Sequence, residues 1–227
     1  MPHGNFHRLI DRFGPFTQID ASFYYSNIVC AIGFIHKHGL VSRDIKSENF
    51  LIGPDGYLVM TDLGLAERVG GDGTWNNVGT PQYMAPELIE PGYPMGRAVD
   101  WWASGVMLYE MLTKRVVCLT AHSQHLRLLL PSLEQSSNTM CSFLPPQPFQ
   151  GVGNLSVHFN ITMQNYAWPK KANWGNSLKH IISRLFTRDP RERLGYSGTT
   201  DVTKHPWLSH IDWDLMSNRV YEVRSEP

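Results

Sequence analysis

The sequence predicts a mainly α-helical domain with one small β hairpin beside a cleft. Three observations lead there: a long helical pattern at 16–38, an almost wholly apolar stretch at 99–112, and two short apolar runs flanking Gly53-Pro54-Asp55-Gly56. In 16–38, Ile19, Phe23, Ile28, Ile32 and Ile35 fit one broad face, and Thr17 or Asp20 can cap the start. Gly39 follows, where a left-handed residue ends a helix cheaply. The runs at 50–52 and 57–60 read as the two arms of a hairpin around a Gly-Pro-Asp-Gly turn. Segment 99–112 is rich in Trp, Val, Met, Leu and Tyr, so it reads as a helix buried on most sides. A further helix is expected at 176–186, with Leu178, Ile181, Ile182 and Leu185 inward. Residues 116 to about 153 keep neither period for long and read as a loop or insertion, 116–156 at its widest.

Composition bounds the function. At roughly 150 residues per domain, 227 residues allow one sizeable core. Twenty Lys+Arg offset twenty Asp+Glu, so no net basic field argues for nucleic acid or an acidic membrane surface. The three cysteines Cys30, Cys118 and Cys141 are scattered and form no metal clip, which suits a reducing compartment. No stretch reaches the ~18 apolar residues of a membrane span, and no signal-peptide pattern opens the chain. An intracellular, cytoplasmic protein is the expectation.

The chemistry concentrates in Ser42-Arg43-Asp44-Ile45-Lys46-Ser47-Glu48-Asn49, with Thr61-Asp62-Leu63-Gly64 just past the hairpin. Asp44, Asn49 and Asp62 supply hard oxygen ligands and Lys46 a cation beside them. That set suits Mg²⁺ and phosphate oxygens, because Mg²⁺ takes a few protein oxygens and completes its octahedron with phosphate and water. His36-x-His38 lacks an evident third ligand and is not read as a metal site.

These motifs resemble a protein kinase. The Arg-Asp-x-x-x-x-Asn loop, the Asp-x-Gly motif and Ala85-Pro86-Glu87 occur in the family's order. Gly79-Thr80-Pro81-Gln82-Tyr83-Met84, Asp100-Trp101-Trp102-Ala103-Ser104-Gly105, Arg191-Glu192-Arg193-Leu194-Gly195 and His205-Pro206-Trp207 look like the cyclic-nucleotide-dependent branch of the AGC serine/threonine kinases. The resemblance implies a protein kinase-like α+β fold, here the mainly α-helical C-terminal lobe with its small hairpin and without the N-terminal β lobe. It implies ATP and Mg²⁺ as cofactors. Asp44 would accept or orient the proton of the substrate hydroxyl, and Lys46 would hold the γ-phosphate. Asn49 and Asp62 would ligate Mg²⁺, Leu51 would lie under the adenine, and Glu48 would complete the nucleotide-binding set. Thr80 beside the catalytic aspartate argues for serine or threonine as acceptor. Glu48 and Glu110 match positions that bind an arginine upstream of the acceptor, so a basic peptide or protein substrate is implied; the blander reading leaves both as solvated carboxylates. Arg43 would reach the activation segment, Glu87 would pair with Arg193, and Asp100 would brace the catalytic-loop backbone. A regulatory subunit is left open.

Departures from the family pattern count too. The chain aligns from just after the lobe-connecting hinge, with no Gly-rich loop and no Val-Ala-Ile-Lys strand, so the reading is one kinase domain over 1–227 truncated to its C-terminal lobe. Phosphoryl transfer depends on positioning and electrostatics, so this chain alone is expected to be inactive. Ser42 stands where the family has His or Tyr, and Leu63 where it has Phe. Asn76 occupies the usual phosphothreonine position, and Glu67 replaces a phosphate-binding lysine, which argues against activation by phosphorylation there. The competing reading is a non-catalytic, pseudokinase-like module that docks basic peptides or partners.

Overall fold

The computed structural model describes residues 4–70, 78–90, 92–113, 148–151, 153–166, 168–169 and 173–220. Asn76, Cys118, Cys141 and most of the span read as an insertion lie outside the described residues. Helix α1 spans Phe6–Phe13 and α2 spans Gln18–Lys37. Four short strands follow: β1 at Leu40–Val41, β2 at Phe50–Ile52, β3 at Leu58–Met60 and β4 at Glu67–Arg68. Then come α3 at Pro86–Ile89, α4 at Ala98–Leu112, α5 at Asn154–Thr162, α6 at Asn176–Leu185, α7 at Thr199–Thr203 and α8 at Trp213–Ser217. Helices dominate the described residues, and the strands pair only as two small antiparallel ribbons, β2 with β3 and β1 with β4.

Helix α2 is held at both ends by local chemistry. Thr17 Oγ1 accepts from the Asp20 backbone N–H at 3.1 Å and donates to Asp20 Oδ2 at 2.6 Å, so Thr17 is the cap. At the other end Gly39 adopts φ 75° and its N–H donates to His36 O at 3.1 Å, where a β-carbon would be strained. The inward face is Ala21, Tyr25, Ile28, Val29, Ile32 and Ile35. Ile19, expected on it, is 62% exposed. At about 100° per residue it lies roughly 180° around the helix from Ile28, so the two cannot share a face.

Helix α4 is buried along its whole length and packs across α2, where Tyr25 and Ser104 share a hydroxyl hydrogen bond at 3.1 Å. Asn27 does a job its type does not advertise. From the middle of α2 its Oδ1 accepts from the Leu58 backbone N–H at 3.1 Å, docking the hairpin onto the helix. In the hairpin turn, Asp55 Oδ1 accepts from the Tyr57 N–H at 3.2 Å, and Gly56 takes φ 76°.

The span read as a loop or insertion to 153, or 156 at its widest, ends earlier than that. Phe149 is fully buried, stacked on Trp102 with ring centroids 5.3 Å apart and edge-on to Phe186. Helix α5 already starts at Asn154, and Val157 and Ile161 turn inward while Leu155 and Phe159 face out. Apolar residues on both faces blur the period, which is why 154–156 do not read as helix from sequence.

Candidate active site

The loop between β1 and β2 carries Arg43, Asp44, Lys46, Glu48 and Asn49, and it is fastened from below by a single buried carboxylate. Asp100 on α4 is fully buried; Oδ1 accepts from the Arg43 N–H at 2.9 Å and Oδ2 from the Ser42 N–H at 2.9 Å. His36 Nε2, at the end of α2, lies 2.8 Å from Asp100 Oδ2. Two helices and the loop therefore meet on one side chain. Arg43 stands at φ 65°, a conformation that costs a residue with a β-carbon about 1–2 kcal/mol. The Asp100 bond holds it there.

Above this anchor Asp44 is nearly buried and its carboxylate is occupied on both oxygens. Oδ1 accepts from Thr80 Oγ1 at 2.9 Å; Oδ2 accepts from Asn49 Nδ2 at 2.9 Å and pairs with Lys46 Nζ at 2.7 Å. Lys46 Nζ also donates to Thr80 Oγ1 at 3.0 Å, and Asn49 Nδ2 to the Asp44 carbonyl at 2.9 Å. Asp44, Lys46, Asn49 and Thr80 are thus one cluster.

Asn49 and Asp62 flank the open end of the hairpin. The Asn49 carbonyl accepts from both the N–H (2.8 Å) and the hydroxyl (3.0 Å) of Thr61, next to Asp62. Asp62 is exposed, at φ 59°, and its Oδ1 accepts from the Gly64 N–H at 3.0 Å. Asn49 uses its amide nitrogen on Asp44, so Asn49 Oδ1 and Asp62 Oδ2 take no hydrogen bond from the described residues. Both are hard oxygens of the kind a Mg²⁺ ion takes. Leu51, half-buried on β2, pairs with Val59 and is bridged by Asn5 on its other side.

The two carboxylates expected to bind a peptide arginine lie on either side of Tyr83 and differ in exposure. Glu48 is exposed, whereas Glu110 is fully buried on α4 with both oxygens accepting from the Tyr83 hydroxyl at 2.8 and 2.7 Å. Burial first, then the charges of Glu110 and Glu48, push the Tyr83 phenol well above its ordinary value, so it remains a donor. Ser47 Oγ lies between Glu48 and Tyr83, 3.3 Å from the Tyr83 hydroxyl, 3.4 Å from Glu48 Oε2 and 3.1 Å from His7 Nδ1.

Glu87 and Arg193 form a fully buried bidentate pair at 2.6 and 2.8 Å. The guanidinium's other donors reach the carbonyls of Ala98, Arg188 and Thr187, and its face lies over the Trp102 ring at 5.0 Å. Both carboxylate oxygens and every guanidinium nitrogen are thus hydrogen-bonded inside the core. Residue-type reasoning missed His36, Ser47 and Tyr83. The only signal for them is position, since each directly flanks or touches a motif residue.

Comparison with known proteins identifies the family. The protein kinase domain family matches residues 1–208. The chain is 33% identical over 219 residues to Protein kinase 2 of Dictyostelium discoideum, covering 96% of this chain and 39% of that protein. It is 31% identical over 222 residues to the cAMP-dependent protein kinase catalytic subunit PRKX of Homo sapiens, covering 96% and 52%. For the cAMP-dependent protein kinase catalytic subunit 3 of Drosophila melanogaster the figures are 33% over 217 residues, 94% and 30%. The chain therefore spans about half or less of the length of these curated relatives. The chain belongs to the protein kinase family, with its likeness to the AGC-type serine/threonine kinases.

Proposed function

We propose that the chain carries the catalytic-loop half of an ATP-dependent kinase that phosphorylates serine or threonine in basic protein segments. The observation that carries this reading is the Asp44–Lys46–Asn49–Thr80 cluster, in which a carboxylate is aimed by three side chains within 3.0 Å contacts. Asp44 orients and accepts the proton of the incoming hydroxyl. Thr80, bonded to both Asp44 and Lys46, shapes the place that hydroxyl occupies. Lys46, now paired with Asp44, would hold the γ-phosphate of the bound nucleotide. Asn49 Oδ1 and Asp62 Oδ2 would hold Mg²⁺, which when bound neutralises charge developing on the phosphate oxygens. Leu51 offers an apolar floor for the base, and exposed Glu48 stands ready for the nucleotide side or a substrate arginine. Glu110, behind Tyr83, engages an arginine only if that phenol yields.

We propose further that the 227-residue polypeptide by itself turns over poorly, since its sequence holds no Gly-rich loop to cover the phosphates. Scattered cysteines, with Cys30 unpaired, fit a reducing cytoplasmic setting. No helix among the described residues is long and apolar enough to cross a membrane. The second reading, a docking module without turnover, draws on Ser42 and on Leu63, which is 46% exposed. Calorimetry of Mg·ATP binding, with Asp62→Ala as control, decides between them. Binding in the micromolar range that Asp62→Ala abolishes supports the metal assignment and overturns the poor-turnover reading, and peptide phosphorylation should then follow. Binding that Asp62→Ala leaves unchanged overturns the metal assignment, and millimolar or absent binding means that this polypeptide by itself does not act as a kinase.

A further inference from the structure

We propose that Glu67 is a positioning residue for Asp44: acting through Arg43, it fixes the loop that carries that carboxylate, with a negative charge supplied by the chain itself. The proposal rests on the reading of Asp44 given above, but the geometry behind it is independent of any reaction.

Arg43 directly precedes Asp44 and is gripped at each of its polar ends. Its N–H is held by Asp100 Oδ1 at 2.9 Å. Its carbonyl oxygen faces Gly79 so closely that a β-carbon at 79 would come within 2.5 Å of it. Its side chain turns to the segment at β4, where Nε donates to Leu65 O at 2.7 Å and Nη2 stands 3.8 Å from Glu67 Oε2. The Arg43 side chain is only 9% exposed and that of Glu67 29%. A guanidinium does not deprotonate, so one placed this deep needs a nearby anion.

Glu67 is built to supply it. The Arg68 N–H donates to Glu67 Oε1 at 3.1 Å, which leaves Oε2 turned to Arg43. Glu67 lies opposite Val41 in the β1–β4 ribbon, and the Val69 N–H donates to Gly39 O at 2.9 Å. The strand partnering β4 thus runs straight into Ser42 and Arg43. The carboxylate and the loop it steadies are two ends of the same ribbon, and Arg43 closes the circuit between them. Because the charge is part of the sequence, alignment of Asp44 by this route needs no covalently added anion.

The test reads backbone amide exchange on the 227-residue chain and its variants, which requires no activity. Glu67→Gln should speed exchange at residues 42–46 by about three- to fivefold, the scale of a partly exposed ion pair. Glu67→Lys should do so by about tenfold, and Glu67→Asp should restore most of the protection. Arg68→Ala, on the same strand with an exposed side chain, should match wild type. Exchange at 42–46 that stays at the wild-type rate in Glu67→Lys overturns the proposal, and so does an equal rise in every element, which would mean global loosening. In a peptide phosphorylation assay, Glu67→Gln should lower kcat about three- to fivefold with the ATP KM within about twofold. A matching rise in KM with kcat intact overturns it. A wild type that phosphorylates nothing would instead defeat the functional reading, and the exchange result would still decide this one.

Discussion

Replacing Asp100 by Asn changes one oxygen to an amide and nothing in shape, yet it strikes the point where α2, α4 and the loop before Asp44 converge. The wild-type carboxylate accepts from the N–H groups of Ser42 and Arg43 at 2.9 Å each and meets His36 Nε2 at 2.8 Å. Hydrogen bonds to a charged acceptor contribute about 1.5–3 kcal/mol each, and neutral ones about 0.5–1.5. An Asn side chain presents one acceptor and one donor, so one backbone N–H faces another N–H and is left unsatisfied, at about 1–3 kcal/mol. Relief of carboxylate desolvation offsets part of this, so the net loss is about 1–3 kcal/mol, which corresponds to a fall in Tm of about 2–12 °C for a chain of this size. Urea unfolding followed by tryptophan emission measures it, with exposed Asp201→Asn as control. Amide exchange should localise the damage to residues 42 and 43, where Arg43 is released from its left-handed conformation. A loss below about 1 kcal/mol, or unchanged protection at Arg43, would refute the idea that Asp100 holds this loop.

Glu87→Gln should destabilise by about 3–5 kcal/mol in the same assay, because it strands the Arg193 charge in a core where it is fully buried. Gly195→Ala should be similarly severe, above about 2 kcal/mol: Gly195 sits at φ 90°, and a β-carbon there would lie 2.5 Å from Trp101 Cδ1. His205 makes the protein acid-sensitive. Burial, then the neighbouring His180 and Arg184, depress its pKa from 6.5 to about 4. The folded state therefore binds fewer protons than the unfolded one between those values, and stability present above pH 6.5 drains away as the pH falls toward 4. Unfolding at pH 7.0 and 4.5 should show His205→Gln losing about 2 kcal/mol less than wild type over that interval; parallel losses would dismiss His205 as the cause.

The elements legible from sequence are those with a long period or a distinctive turn. The helices at 18–37, 98–112 and 176–185 and the hairpin at 50–60 appear within two residues of their expected bounds. Shorter elements escape: β1 and β4 are two residues each, too short to show alternation, and the eight-residue α1 leans on Asn5 as its cap. Asp44, Lys46 and Asn49 stood out together because they are close in sequence and chemically unlike their apolar surroundings, whereas Thr80, 36 positions from Asp44, came only from the resemblance to the kinase pattern. Burial was harder to read. Asn27 and His36 look like surface residues but are buried, satisfied by Leu58 and Asp100. Glu110 sits at the end of an apolar helix and reads as exposed until Tyr83, far away in sequence, is found bonded to both its oxygens. Phe149 likewise carries no local signal, because what it stacks on is Trp102, on a helix remote in sequence.

The adjacent indoles at the heart of α4 have an optical consequence. Trp101 and Trp102 are both fully buried, and neither Nε1–H has a hydrogen-bond partner among the described residues. Indoles shielded from solvent dipoles emit toward the blue, so these two of the chain's seven tryptophans should contribute a blue component that shifts red as α4 meets water. Trp101 lies edge-on to His36, a ligand of Asp100, and Trp102 lies beneath Arg193, the partner of Glu87. Neighbouring chromophores therefore watch two different anchors, and substituting one indole at a time would separate the opening of the catalytic loop from the rupture of the core ion pair without any added label.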